Sequence, residues 1–321
     1  MTFEHHSDIF PAIGGDDPNH QPMADFGPGA VHSGYHMDLR GKAASYGPPE
    51  HADAWLDLLV ARRERVMPVT VLQLGLGAWQ RSIDALDPDR AGWAAIARRV
   101  ADWAAVDLDG HGCFLHYAAM PHTYEIDAGW HSAMAQGLGV SLFVRHDMNE
   151  DAARAARALL DPSLGLIADT ATGPVLQEYP ADPFPHVLNG WIWALLGLSD
   201  LAIAPGELEE GLREQASEAF AAGVASLAAS LPEYETGRGW STYDRYPHPI
   251  ANVASPFYHR LHVEMLRALD RVAPVDLSGA SDVLTTTSAR WEAALGRPST
   301  RLTAVARKVG FRIVKPRRKA A

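Results

Sequence analysis

The stretch Val187-Leu188-Asn189-Gly190-Trp191-Ile192-Trp193-Ala194-Leu195-Leu196-Gly197-Leu198-Ser199-Asp200-Leu201-Ala202-Ile203-Ala204 is the most membrane-like run in the chain, and its reading decides the fold class. It is long enough to invite interpretation as a span, but Asn189 and Asp200 interrupt it and Pro205 follows. A carboxylate is costly in lipid. The run is therefore expected to be a buried core helix, which needs other helices packed around it.

Outward from this run, apolar residues recur at three- and four-residue spacing through about 51–66, 69–86, 91–105, 129–145, 150–160, 206–230, 256–271 and 284–308. Between them, 111–128, 163–186 and 233–252 are rich in Gly, Pro, Tyr and Thr, a composition that suits hairpins and irregular loops. The pattern predicts an all-α fold with short β-hairpin or loop inserts. A bundle, a solenoid and a toroid of helical hairpins all fit it. Nothing forces a second domain: an extended arm over 1–49, carrying Tyr35, Tyr46 and the Pro48-Pro49 break, leads into one helical body over 50–308 and a basic tail over 309–321. The arm is expected to pack on the body.

Composition narrows the setting. With 47% apolar and 21% charged residues, the 321-residue chain is ordinary for a globular protein. Its single cysteine, Cys113, allows no internal disulfide, and the N-terminus lacks the basic-then-apolar pattern of a leader, so the cytoplasm is the expected location. Net charge is −11, yet residues 301–321 hold eight Lys or Arg and no Asp or Glu. That end reads either as a solvated terminus or as a peripheral contact with anionic membrane at the inner face, or with a polyanionic glycan. Nucleic acid is not an expected partner, because the body is acidic and no recognition motif occurs.

Three segments concentrate proton-handling side chains: Gln177-Glu178-Tyr179-Pro180, Ser241-Thr242-Tyr243-Asp244-Arg245 and Phe257-Tyr258-His259-Arg260-Leu261-His262. His259 and His262 share a helical face, but no third ligand of matching kind accompanies them, and no metal is expected. Gly137-Leu138-Gly139 and Gly173-Pro174 match neither phosphate-binding fingerprint, so no nucleotide or other cofactor is expected. Ser132 and Cys113 lack a nucleophile's surroundings.

The run Gly129-Trp130-His131-Ser132-Ala133-Met134-Ala135-Gln136-Gly137 resembles the G-W-x-S-A-M-A-Q-G signature of the D-glucuronyl C5-epimerases. The likeness continues in order through Gln177-Glu178-Tyr179-Pro180, Val187-Leu188-Asn189-Gly190, Leu196-Gly197-Leu198-Ser199-Asp200-Leu201, Thr242-Tyr243-Asp244 and Tyr258-His259-Arg260-Leu261-His262, and covers about 35–296. The resemblance implies an α/α toroid, an incomplete barrel of helical hairpins, without the β-rich domain of the animal enzymes. It also implies a homodimer, a glucuronate-containing glycan as substrate, and Glu178, Tyr179, Tyr243 and Tyr258 at the catalytic positions. The sequence departs from the family at Leu74, where a tyrosine is usual, at Tyr243-Asp244-Arg245-Tyr246 in place of Y-D-L-R, and at Pro256-Phe257-Tyr258-His259 in place of W-D-Y-H.

The residue types suit the implied reaction. Inverting C5 of a uronate removes a proton made acidic by the adjacent carboxylate and returns one to the opposite face, so two proton carriers are needed. Tyrosine serves as phenolate base or phenol acid. The substrate carboxylate needs cations or donors whose hold strengthens as negative charge develops, a role assigned to Arg245 and His259. Glu178 either shares a proton with that carboxylate or polarises a tyrosine. Asn189 and Gln136 are candidates to hold sugar hydroxyls, and Trp130 to stack on a sugar face, while Trp191 and Trp193 read as core. Two other functions fit the same residues: a uronate lyase, which shares the deprotonation and then expels the substituent at C4, and a non-catalytic glycan-binding toroid.

Overall fold

A computed structural model of the chain describes residues 31–62, 67–120 and 123–316. Among these, α1 (Arg40–Ala44), α2 (Pro49–Val60), α3 (Pro68–Ile83), α4 (Arg90–Asp107), α5 (Ala133–Arg145), α6 (Asn149–Leu160), α7 (Leu188–Ala202), α8 (Leu212–Ser230), α9 (Pro256–Val272), α10 (Ser278–Leu295) and α11 (Pro298–Val314) account for most of the chain. Two antiparallel hairpins complete it: β1 (Ile167–Thr170) with β2 (Gly173–Leu176), and β3 (Glu235–Thr236) with β4 (Trp240–Ser241). The fold is all-α with small β inserts, and both hairpins fall inside segments whose composition excludes helix. Residues 1–30 of the expected arm and 317–321 of the expected tail lie outside the described residues.

Helix boundaries follow local chemistry. α2, α3, α9 and α11 each open on a proline in the first turn, where the missing N–H has no intrahelical partner to lose. Ser132 caps α5 by accepting from the Ala135 N–H, and Ser255 caps α9 by accepting from the Tyr258 N–H. The run expected as one helix over 284–308 is two, α10 and α11, broken at Gly296-Arg297-Pro298 because Pro298 cannot continue α10. The helix expected from 206 starts at Leu212, after Gly211 with φ +77°.

Consecutive helices pair as hairpins, α3 with α4, α5 with α6, α7 with α8 and α9 with α10. Within this array α3, α5, α7 and α9 lie side by side in one row, and α8 joins α6 to α10 in a second. No comparable contact joins α3 to α9, so the first row stays open. α5 is buried along its whole length and α7 up to Leu201. The run that opened the sequence is thus a core helix, and no helix among the described residues is long and apolar enough to cross a membrane. Trp191, Trp193, Leu195, Leu196 and Leu198 are sealed from solvent on α7, each contributing about 1.5–3 kcal/mol relative to exposure. α5 and α7 cross backbone to backbone, since a Cβ on Gly197 would lie 2.4 Å from the Gly137 carbonyl oxygen and one on Gly137 would lie 2.5 Å from the Ala194 Cα.

Asp200, whose charge interrupts the apolar run, is buried and fully paired. Its carboxylate accepts from Arg145 Nη1 at 2.6 Å and Nη2 at 3.1 Å, and lies 3.0 Å from His36 Nε2. Burial pushes this carboxyl up, but Arg145 and His36 outweigh burial and hold it well below the usual range. Arg145 also donates to the Gly34 and Ser141 carbonyls and lies over the Tyr35 ring, which stacks on Trp193. One charge on α7 therefore fastens residues 34–36 to α5 and α7, and Tyr35, Met37 and Leu39 are sealed in the core.

Residues 301–316, read from charge as part of a separate basic end, form most of α11, which lies across the loops between the first-row helices. Ala304 packs with Trp240 and Val253, Phe311 meets the His248 ring at 4.8 Å, and Lys315 Nζ lies 3.3 Å from Glu125 Oε1.

Candidate active site

The starts of α5, α7 and α9 carry or adjoin one cluster of polar aromatic residues. Trp130 precedes α5, Asn189 is in the first turn of α7 and Tyr258 in the first turn of α9. The partial positive charge of three helix N-termini therefore gathers at one place, an arrangement suited to an anionic ligand.

Glu178 and Tyr179 follow β2. The Gln177 N–H donates to the Leu166 carbonyl at 2.8 Å, and the Gln177 carbonyl accepts from the Ala133 N–H at 2.9 Å, which ties this segment to the start of α5. Glu178 is 6% exposed and presses on α7, where Gly190 leaves room for its carboxyl; Asn189 Nδ2 donates to Glu178 Oε2 at 3.4 Å. Tyr243 sits over the start of α7: its N–H donates to the Asn252 carbonyl at 2.7 Å and its carbonyl accepts from the Leu188 N–H at 3.2 Å.

These segments bring Glu178, Tyr179, Tyr243 and Tyr258 together. Each side chain acts electrostatically on the next, Glu178 on Tyr179, Tyr179 on Tyr243 and Tyr243 on Tyr258. The Tyr243 and Tyr258 rings meet edge to face at 4.8 Å. Burial pushes the Glu178 carboxyl up to about 7 although the Tyr179 phenol acts to lower it, with Asp244 adding to the rise. Burial also pushes the Tyr258 phenol up to about 12, and raises Tyr179 and Tyr243 well above the usual phenol range, where the neighbouring Glu178 adds to it. Near neutral pH the phenols hold their protons and Glu178 exchanges its own.

The other expected contacts divide. Trp130 belongs to the cluster: its ring lies 5.4 Å from Tyr179 and stacks on His116 at 3.8 Å, and its indole N–H donates to the Ala118 carbonyl at 3.0 Å. Asn189 belongs to it through Glu178. Gln136 does not: its amide is spent on the Phe114 N–H and the Gly112 and Ala155 carbonyls, where it fastens the 112–114 segment and α6 to α5. Arg245 is drawn instead to Glu233, with which it pairs, and lies over the Tyr234 ring, its backbone N–H held by the Pro185 carbonyl at 2.8 Å.

His259 is likewise withdrawn, one residue past Tyr258 and rotated into the core. It stacks on Trp240 at 3.9 Å, its Nδ1 accepts from the Ser241 N–H at 3.1 Å, and its Nε2 lies 3.0 Å from the Trp291 carbonyl. Burial lowers its pKa to about 3, so it is neutral. The Ser241 hydroxyl lies 2.8 Å from His259 Nδ1 and 2.9 Å from His262 Nδ1, so the pair orients the β4 loop. Among the described residues, Asp109, Cys113 and His131 are the group whose ligand atoms lie within 4.8 Å of one another. Burial pushes the Cys113 thiol up to about 12, and the Asp109 carboxylate already accepts from the His111 and Cys113 N–H groups, an arrangement that closes a turn.

Residues that motif matching passed over complete the surroundings. Tyr124 donates to Asp244 Oδ2 at 2.5 Å, and Asn252 Nδ2 to the same oxygen at 2.6 Å. The Tyr124 ring lies 5.1 Å from Tyr179. From α11, Lys308 Nζ donates to Asn252 Oδ1 at 2.7 Å and lies 5.4 Å from the centre of the Tyr243 ring. Asp244 stood next to Tyr243 in a quoted segment, and Lys308 with Arg312 at i, i+4 was visible in the basic end, but nothing in the sequence aimed either at the tyrosines.

A family model described as D-glucuronyl C5-epimerase C-terminus matches residues 109–292, a span that ends before α11. The D-glucuronyl C5-epimerase of Caenorhabditis elegans is 32% identical to this chain over 222 residues, covering 63% of this chain and 32% of the relative. The chain thus spans about a third of the length of that curated relative.

Proposed function

The chain belongs to the family of the D-glucuronyl C5-epimerase C-terminus, and from that premise we propose that it inverts C5 of D-glucuronate residues within a glycan to give L-iduronate residues. The observation that carries the proposal is the close link of Glu178, Tyr179, Tyr243 and Tyr258, brought from three segments into one cluster. C5 inversion needs a base on one ring face and an acid on the other, and this link supplies both in exchangeable form. Ionised Glu178, acting through Tyr179, takes up the C5 proton, while the electron pair moves into the substrate carboxylate. A phenol of the Tyr243–Tyr258 pair returns a proton to the opposite face. The proton that this phenol gives up is replaced along the link from Glu178, which leaves the site as it began.

The proposal includes a homodimer, supported by exposed Leu302, Val309 and Ile313 on α11. It also includes contact of the basic end with an anionic membrane at the cytoplasmic face, supported by the charge of Arg301, Arg307, Arg317, Arg318 and Lys319.

Incubation with a glucuronate-containing oligosaccharide in heavy water tests the reaction. Deuterium at C5 together with a mixture of glucuronate and iduronate is the expected result. An ultraviolet-absorbing unsaturated uronate would show elimination instead, and binding without exchange would show a non-catalytic protein. Tyr243→Phe and Tyr258→Phe keep the rings and remove the protons, so each should lower turnover at least about a hundredfold.

A further inference from the structure

The chemistry of the site requires a cation beside the substrate carboxylate, and neither side chain that the sequence offers for it is there. Arg245 is paired with Glu233, and His259 is neutral and held in the core. The cations that do face the tyrosines come from α11, outside the residues that the family model matches. Lys308 and Arg312 are one turn apart and project from the same face of that helix. Lys308 Nζ is placed over the Tyr243 ring and fixed by Asn252, which is in turn held by Asp244. Arg312 lies against Phe311 at 5.4 Å, and its Nη1 is a buried donor without a hydrogen-bond partner, as is that of Arg245, which is turned away to Glu233 and the Tyr234 ring.

We propose that Arg312, supported by Lys308, holds the carboxylate of the bound uronate against Tyr243 and Tyr258. This rests on the uronate reading of the site given above. An arginine donor left open beside phenols is suited to a planar carboxylate, which it engages through two parallel N–H groups. Its fixed charge is placed to strengthen that contact as negative charge grows on the carboxylate during proton removal.

The electrostatics agree with the geometry. Arg312 opposes the rise in the Tyr258 pKa; burial lowers the pKa of Arg312 itself, and Tyr243, Tyr124, Tyr258 and Asp244 act against that fall. Burial, with Arg312 adding to it and Asp244 opposing it, lowers the Lys308 pKa to about 7, so a further negative charge beside the pair would favour its charged form. A substrate carboxylate would supply such a charge. The helix read from sequence as the beginning of a basic end is then the part of the fold that recognises the acid group of the sugar.

The test compares binding of a glucuronate-containing tetrasaccharide with that of the same tetrasaccharide after reduction of its carboxyl groups to primary alcohols. The full chain is used, with deuterium exchange at C5 measured on the same samples. The wild-type protein should bind the uronate form at least about tenfold more tightly, the range of a charge-assisted hydrogen bond. Arg312→Ala should narrow the ratio to below about threefold, Arg312→Lys should recover part of it, and Arg307→Ala, on the exposed side of α11, should match wild type. Melting curves of each variant identify loss of fold, and Arg312→Lys retains a cationic stem that Arg312→Ala removes. A wild-type ratio near one, or a ratio unchanged in Arg312→Ala, overturns the proposal. The two readings fail separately: selective uronate binding without C5 exchange removes epimerisation and leaves the Arg312 contact standing, whereas exchange with an unchanged ratio in Arg312→Ala does the reverse.

Discussion

Gly190 has no side chain because the Glu178 carboxyl and Cβ occupy the place where one would go. A Cβ there would lie 2.3 Å from Glu178 Oε2 and 2.5 Å from Glu178 Cβ. Gly190→Ala must therefore move Glu178 away from α7 and break its register with Tyr179. The expected result is a loss of turnover of at least about tenfold, together with an overpacking cost of about 1–3 kcal/mol, read from steady-state rates and urea unfolding. Unchanged turnover would mean that the position of Glu178 does not limit the reaction. Glu178 also leaves a signature in pH. Its native pKa of about 7 lies above the ordinary 4.5, so between these values the native state holds a proton that the unfolded chain has released. Stability due to this group accordingly falls as pH rises through that window. Melting temperatures of wild type and Glu178→Gln should diverge in slope between about pH 4.5 and 7, and the rate profile of wild type should show an ionisation near 7 that the variant lacks.

Among the elements, α7 is where sequence and structure agree most directly and α11 where they part. The apolar run from Val187 reads as a core helix on hydrophobicity and interruption alone, because a charge such as Asp200 is tolerated in a core only when it is paired. What the run could not show was that Arg145 and His36, from distant segments, are the partners. Asp200→Asn leaves the Arg145 guanidinium buried without a counter-charge and should cost about 3–5 kcal/mol in urea unfolding. A loss below about 1 kcal/mol would mean that the 31–39 segment is held by its apolar contacts. For α11, a terminal run of positive charge resembles a solvated end, and the apolar spacing across Pro298 resembles a continuation of α10. Both impressions come from averaging over a window. The inward pair, Lys308 and Arg312, is separated from outward Arg307 only by helical phase, which is fixed by Ala304 and Phe311 packing on other segments. Tyr243 and Tyr258 were legible through motifs, whereas Arg245 and His259 were assigned to the carboxylate by adjacency, and adjacency in sequence does not decide which way a side chain turns.

For the whole molecule, the exposed Leu302, Val309 and Ile313 on α11 lead to an assembly prediction. Light scattering should give the mass of two chains, and Ile313→Glu, which places a charge on that outward face, should shift the mass toward one chain without lowering the melting temperature. A wild-type mass of one chain at micromolar concentration would remove the dimer. α11 has a further consequence in time. Every tyrosine of the cluster, and Glu178, precedes residue 259, so the ribosome delivers them all before Pro298 emerges. Chains are made at about 5–20 residues per second and fold progressively from the N-terminal side. For a few seconds of each molecule's birth the helical hairpins can assemble while the two cations are still unmade or in the exit tunnel. A nascent chain arrested before α11 would then present the tyrosine cluster without Lys308 and Arg312, and on the proposed reading it would have nothing to grip an acid sugar.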